Sequence, residues 1–333
     1  MQKTIVFFAL TAAFFFSCSN DDIEQSHQID ESQYTTFVAM NQAATRADYI
    51  LWHSVGSNAQ PCWQQDDKLW LYMNPTWRVP SVGNNIPSGQ VWDRANFYFP
   101  QGYGADSYKV NYLGSSADGI HVSFPAQQWN LLPNSTAHLR LTGDCAEATA
   151  TRVPGKLGVY TMAFNRLPAY LCILPYISDE YSYLTSVMKR VVIKSDKVIS
   201  GTFDVGQFGL DPAHATNTGT TLDCYFAGTA SAWVYTDVNI YHNAMYIAIP
   251  PGHHNLTIEV YCHSDRRGDF NASRTIGWRW YGANTLTDIK FDVAENIGAS
   301  HNNINAGATI ATAKKTRGVE AVVDTTWNGT FDQ

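Results

Sequence analysis

Short apolar segments, each stopped by a turn residue, recur along most of this chain. Lys68-Leu69-Trp70-Leu71-Tyr72-Met73 ends at Asn74-Pro75, Ala95-Asn96-Phe97-Tyr98-Phe99 ends at Pro100, and Gly119-Ile120-His121-Val122-Ser123-Phe124 ends at Pro125. Proline cannot donate to a strand ladder, so prolines in these positions mark strand ends. Residues 167–177 form a longer apolar run interrupted by Pro168 and Pro175, which a helix interior would not tolerate; the run predicts a buried strand. Residues 187–193 and 197–205 are β-rich pieces around Lys194-Ser195-Asp196, a hairpin-like turn. Further strands are predicted near 222–226, 231–235, 245–249, 256–263, 273–281 and 288–293. The last one is the clearest: Val319, Ala321, Val323, Thr325 and Trp327 alternate with mainly Glu, Asp and Thr, the period-two pattern of a strand with one buried face. There is little sign of helix and no nameable internal repeat. Many short strands at this spacing predict an all-β chain of sandwich type.

Between the patterned pieces lie segments that punctuate the chain. Residues 19–41 are polar and rich in Asp, Glu, Gln and Ser, and such a segment cannot bury enough apolar surface to offset its ordering entropy. Its first part reads as a solvated tether. Within it, Tyr34-Thr35-Thr36-Phe37-Val38-Ala39-Met40 has strand composition and runs into Asn41-Gln42-Ala43-Ala44-Thr45-Arg46-Ala47. Residues 206–219, enriched in Gly, Asp, Pro, Asn and Thr, are the best candidate for a domain boundary, and 296–315 are expected to be a loop. The expected division is a leader over 1–17, a tether with its strand over 18–46 (a candidate propeptide), and domains over 47–210 and 211–333.

The front of the chain changes the picture. Lys3 is followed by an apolar stretch over 4–16, shorter than the roughly 20 residues that span a bilayer. A charged start, a short apolar middle and small residues near a cut site describe an export signal. Phe15-Phe16-Ser17-Cys18 resembles a bacterial lipoprotein box, in which the cysteine sulfur receives a diacylglycerol, the preceding peptide is removed and the new amino terminus is acylated. Two or three acyl chains hold a protein to a membrane far more firmly than one. This reading is favoured over an ordinary signal peptide with an incidental cysteine. Ser19-Asn20-Asp21-Asp22 resembles the acidic tag of surface-exported lipoproteins of Gram-negative anaerobes. The expected location is therefore the outer membrane, lipid-anchored through Cys18 and facing outward.

Removing the leader leaves about 315 residues, a length prior of about two domains. A net charge of −7 without a basic cluster argues against a nucleic-acid partner, whose phosphates need a Lys/Arg footprint. With Cys18 assigned to lipid, Cys62, Cys145, Cys172, Cys224 and Cys262 remain, an odd and widely spaced set without CxxC or zinc spacing. One or two disulfides and buried thiols acting as small hydrophobes both fit an exported chain.

No motif for catalysis or for a cofactor is found. Asp66-Asp67 is a cation candidate but reads better as a solvated turn, and His253-His254, after Pro250-Pro251-Gly252, as surface-loop histidines. His263-Ser264-Asp265 has the letters of a hydrolase triad without a nucleophile elbow. No phosphate-cradling glycine loop is present. Neither an enzyme nor a cofactor is expected. Ten tryptophans, with Trp52, Trp63, Trp70, Trp77 and Trp92 crowded early, suggest a glycan-stacking surface as an alternative to core packing, with Trp70 read as core. Four N-glycosylation sequons, at Asn134, Asn255, Asn271 and Asn328, read as chance in a bacterial lipoprotein.

Several segments together resemble the fimbrillin superfamily, surface lipoproteins whose subunits build, cap or anchor type V pili. Phe37-Val38-Ala39-Met40 followed by Ala43-Ala44-Thr45-Arg46-Ala47 is similar to the family's early strand ending in a Thr-Arg-Ala junction. Trp63 with Asp66-Asp67-Lys68-Leu69-Trp70-Leu71-Tyr72 is similar to its W..GD.I.LY segment, with Asp66 where a glycine is usual. Arg166-Leu167-Pro168-Ala169-Tyr170-Leu171, Val198-Ile199-Ser200-Gly201-Thr202-Phe203-Asp204, and Ile249-Pro250-Pro251-Gly252 with Asn255-Leu256-Thr257-Ile258 resemble later strands of the family. The resemblance implies two tandem transthyretin-like β-sandwich domains and assembly by strand exchange. A protease cuts between Arg46 and Ala47, the amino-terminal strand leaves, and a neighbour's strand fills the groove. Val319, Ala321, Val323, Thr325 and Trp327 would carry the donated strand. The partners so implied are other pilus subunits and the outer-membrane lipid at Cys18, with surface glycans or proteins as adhesion ligands. A monomeric glycan-binding lipoprotein is the alternative.

Overall fold

The structure is a computed structural model of the chain. It describes residues 30–40, 51–52, 60–177, 186–226, 232–234, 240–265, 268–293, 308–312 and 320–321. About 64% of the described residues are strand and almost none are helix, which places the chain in the all-β class. Short 3-10 turns at Glu31–Gln33, Ala137–Leu141 and Ile240–Asn243 supply the helical geometry among the described residues.

A nine-stranded sheet carries the first part. Its order is Trp77–Pro80, Leu69–Asn74, Ser107–Tyr112, Ala146–Arg152, Val159–Met162, Tyr34–Met40, Arg94–Pro100 and Gly83–Asn84, with Asn165–Arg166 paired to Ala146–Arg152. Phe37, Leu69, Leu71, Phe97, Phe99, Val110, Tyr112, Ala146, Ala148, Ala150, Tyr160 and Met162, drawn from strands across this sheet, share one core with Trp63 and Phe164. Residues from strands so far apart in one sheet meet only if the sheet curls over its own inner face. The three alanines let the Ala146–Arg152 strand come close to that core.

The rest is layered. A five-stranded sheet, Met245–Ile249, Ala169–Tyr176, Thr285–Asp292 and Ala308–Thr312 with Glu320–Ala321 paired to Thr285–Asp292, lies between two others. Leu171, Ile173, Ile247 and Ile289 on one face pack with Val191, Leu222, Ile258 and Cys262 of a six-stranded sheet. That sheet runs Gln127–Asn130, Thr221–Phe226, Ser186–Ser195, Gly252–Ser264 and Gly268–Tyr281, with Ala232–Val234 beside Ser186–Ser195. Tyr170, Cys172, Leu174 and Tyr246 on the opposite face pack with Phe124, Phe203 and Val205 of the three-stranded sheet His121–Phe124, Ser200–Gly206 and Gly209–Gly219. A strand covered on both faces cannot alternate, which is why Ala169–Tyr176 is buried at every position but the last. Pro175 sits inside this strand and not at its end. It is tolerated because the antiparallel pairing with Met245–Ile249 stops at Ile173, leaving no ladder on that flank for Pro175 to interrupt.

Three expectations are corrected. Ser186–Ser195 and Ser200–Gly206 form no hairpin around Lys194-Ser195-Asp196, because they belong to different sheets and the chain crosses between layers there. The segment 206–219 is ordered as the strand Gly209–Gly219, antiparallel to Ser200–Gly206; it is a largely exposed edge strand, so its polar composition resembled a linker. Within 296–315, Ala308–Thr312 is a strand pairing antiparallel with Thr285–Asp292. The five cysteines from Cys62 to Cys262 are buried thiols without disulfides, and burial pushes Cys62 up to about 11.

Candidate functional site: the seat of the leading strand

Tyr34–Met40 is the feature of the fold that sequence order makes unusual. It is the first described strand, yet it lies inside the sheet, flanked on both sides. It pairs antiparallel along the whole of Arg94–Pro100, from Tyr34 opposite Pro100 to Met40 opposite Arg94. On its other flank Thr36 to Ala39 pair parallel with Val159–Met162, and the Thr36 N–H donates to the Gly158 carbonyl at 2.8 Å. The strand is thus paired antiparallel on one side and parallel on the other.

The side chains are held as firmly as the backbone. Phe37 is fully buried, stacked on Tyr160 at 4.6 Å between centroids and 11° between planes, with Phe99 edge-on at 4.8 Å and Tyr108 at 6.1 Å. Thr35 and Ala39 share that inner face and are buried, and Val38 is buried on the other. Burying a phenylalanine contributes about 1.5–3 kcal/mol. The turn that leads in is tied down too: Tyr98 donates to Glu31 Oε1 at 2.5 Å, and Gln101 donates to the Ser32 carbonyl at 3.0 Å. Burial, with Glu31 beside it, raises the Tyr98 pKa.

Taking this strand out would open a groove with unpaired backbone on both walls and a floor of Phe97, Phe99, Tyr108 and Tyr160. Each buried backbone group left unmet costs on the order of 1–3 kcal/mol. Such a groove selects an extended peptide with small or apolar residues at alternate positions, by strand addition. Cys18, Arg46 and Ala47 lie outside the described residues, as do Val319, Val323, Thr325 and Trp327. Ala321 belongs to a two-residue strand, Glu320–Ala321, which pairs parallel with Thr285 and Leu286.

The remaining candidates fall elsewhere. Asp66 is exposed, but Asp67 is buried, and this corrects the reading of a solvated turn. Its carboxylate accepts from the Gln64 N–H at 2.7 Å and from the Tyr112 hydroxyl at 3.2 Å, and pairs with Arg140 at 3.1 Å. Burial outweighs Arg140 and raises Asp67 to about 6. Nearby, Arg166 and Asp144 form a fully buried ion pair at 2.7 Å, and Tyr170 donates to the other Asp144 oxygen at 2.5 Å. His254 is buried, its ring beside Ser195 Oγ at 3.0 Å and the Pro250 carbonyl at 3.0 Å, so only His253 of that pair is on the surface. His263 lies between two carboxylates, with Asp269 at 2.7 Å from Nδ1 and Asp265 at 3.9 Å from Nε2. Among the early tryptophans whose side chains are described, Trp63 and Trp70 are core, Trp92 is half-buried and Trp77 is 55% exposed, so these four form no common surface.

No family model matches this chain, and no curated protein matches it. Solved structures do. A candidate cell adhesion protein from Bacteroides ovatus is 11% identical, covering 86% of this chain and 98% of its own, at a TM-score of 0.43. One from Bacteroides eggerthii is 9% identical with the same coverages and TM-score. The fimbrial anchor protein Mfa2 from Porphyromonas gingivalis is 6% identical, covering 84% and 96%, at a TM-score of 0.31. Likeness at this level transfers no residue or role. The solved structures named here as similar are described as candidate cell-adhesion proteins and a fimbrial anchor protein.

Proposed function

We propose that this chain is a non-enzymatic, fimbrillin-type surface lipoprotein that serves as an adhesive pilus subunit assembled by strand exchange. The observation that carries this reading is the interior seat of Tyr34–Met40: a strand at the front of the chain, followed within six residues by Arg46, fills a position in the sheet that another strand could fill. Cys18 carries lipid during export, a protease cuts between Arg46 and Ala47, and the departing strand leaves the groove. A neighbour's segment with Val319, Ala321, Val323, Thr325 and Trp327 on one face then enters it. Two sandwich units, 47–210 and 211–333, form the body. One core draws only on residues from Phe37 to Phe164, and another, from Ala169 to Val293, takes residues from both sides of 210/211.

The test is production of the full chain in its native envelope, wild type beside Arg46→Ala. Wild type is expected to give a ladder of polymers whose subunits begin at Ala47, and Arg46→Ala a lipidated monomer. A mature wild-type protein that always starts at Cys18 and never joins a polymer would overturn the strand-exchange role. A subunit that joins polymers while retaining Cys18 and an uncut Arg46 would assign the anchor position instead.

A further inference from the structure

We propose that His253, Trp278 and Trp280 form a platform that binds a neutral pyranose unit of a glycan. Gly252–Ser264 and Gly268–Tyr281 pair antiparallel, and Gly268–Tyr281 is the outer strand of the six-stranded sheet. Ile276 and Tyr281 both lie in the core beneath this sheet. They are five positions apart, an odd number, so strict alternation would send one of them outward. A register shift resolves this: His254 pairs with Arg279 and Leu256 with Ile276, so Asn255 alone stands opposite both Gly277 and Trp278. The extra residue is a β-bulge, a device that re-aims side chains. Its consequence here is that Trp278 and Trp280 both face solvent, 65% and 60% exposed, while the core keeps Ile276 and Tyr281.

The rings are organised. His253 lies opposite Trp280 in register, and its imidazole stacks on Trp278 at 3.9 Å with 4° between planes. It meets Trp280 edge-on at 5.0 Å and 61°. Three rings that already hold one another lose little freedom when a ligand arrives. The outward positions continuing from them are neutral and polar: Asn255 is exposed, and the Thr257 and Thr275 hydroxyls lie 2.8 Å apart in solvent. Electron-rich indole faces attract the polarised C–H face of a sugar ring, and amide and hydroxyl groups at the rim match its hydroxyls.

Size decides between a sugar and a protein. A tryptophan offers on the order of 150–250 Å², so two at these exposures present about 250 Å², far below the roughly 800 Å² per partner of a stable protein interface. One or two pyranose rings fit that area. The platform needs no strand exchange, so it can be tested on the full-length monomer and can fail independently of the pilus assignment.

The experiment is titration of the full chain with cellotetraose, mannotetraose, galactotetraose and N-acetylchitotetraose, followed by tryptophan fluorescence and calorimetry. Binding of at least one is expected, weakened about tenfold or more by Trp278→Ala and by Trp280→Ala and untouched by Trp77→Ala, a separate exposed tryptophan. His253→Ala is expected to weaken it less. All these side chains are on the surface, so the melting temperature serves as a folding control. Absence of binding to all four sugars at millimolar concentration, binding that survives the double Trp278→Ala/Trp280→Ala variant, or a double variant whose only effect is to dissociate a dimer would each overturn the proposal.

Discussion

Phe37 has the most to lose at the leading-strand seat, because Tyr160, Phe99 and Tyr108 all close on one ring. Phe37→Ala is expected to lower the stability of the full chain by about 3–5 kcal/mol in equilibrium urea unfolding, the range for emptying a buried aromatic site. Asp144 is a second such residue. Burial works against the charge on Arg166, yet the adjacent Asp144 carboxylate raises its pKa and keeps it protonated. Asp144→Asn strands that buried cation, so a loss of about 3–5 kcal/mol is expected in the same assay. Asp67 gives the pH signature. Its folded pKa of about 6 lies above the ordinary carboxylate value of 3.8, so ionising it costs stability in full above pH 6, and the cost is relieved as pH falls from about 6 toward 3.8. Urea unfolding of wild type and Asp67→Asn across that window should show wild type gaining on the variant upon acidification. A gain for the variant would contradict the buried setting of this carboxylate.

At the scale of elements, strands rich in apolar residues were legible in the sequence, and strands of small or exposed residues were not. Met245–Ile249 falls where the apolar run predicts it, and 94–100 and 69–74 differ from prediction by a residue at the ends. Ala146–Arg152 gave no signal: its residues are Ala-Glu-Ala-Thr-Ala-Thr-Arg, weak strand formers selected here for close approach to the aromatic core. Gly209–Gly219 was hidden by its exposed composition. The outward turn of Trp278 and Trp280 was illegible for a different reason, since an inserted residue reverses the phase and the sequence marks it only by Gly277. The composition of Tyr34–Met40 announced a strand, but nothing in it said that the strand sits between two others. Hydrogen exchange on the full chain reads that placement. Amides of 34–40 are expected to exchange far more slowly than the outer-edge amides of 209–219, and equal rates would mean that the leading strand is only loosely added.

For the whole molecule, the described residues form three cores, and the leading strand contributes to only one of them. The core holding Ala169, Leu171, Ile193 and Phe291 takes no residue from before Ala169. Loss of Tyr34–Met40 would therefore damage the curled nine-stranded sheet first and leave the layered part standing. That asymmetry is what a subunit exchanging one strand requires: an open, unsatisfied groove on an otherwise folded body. The most direct measurement is peptide mass spectrometry on polymers purified from the native cell surface. The account predicts subunits that start at Ala47 and polymers that lack the Tyr34–Met40 peptide. Recovery of that peptide in equal amount with the rest of the chain, from subunits throughout the polymer, would contradict it.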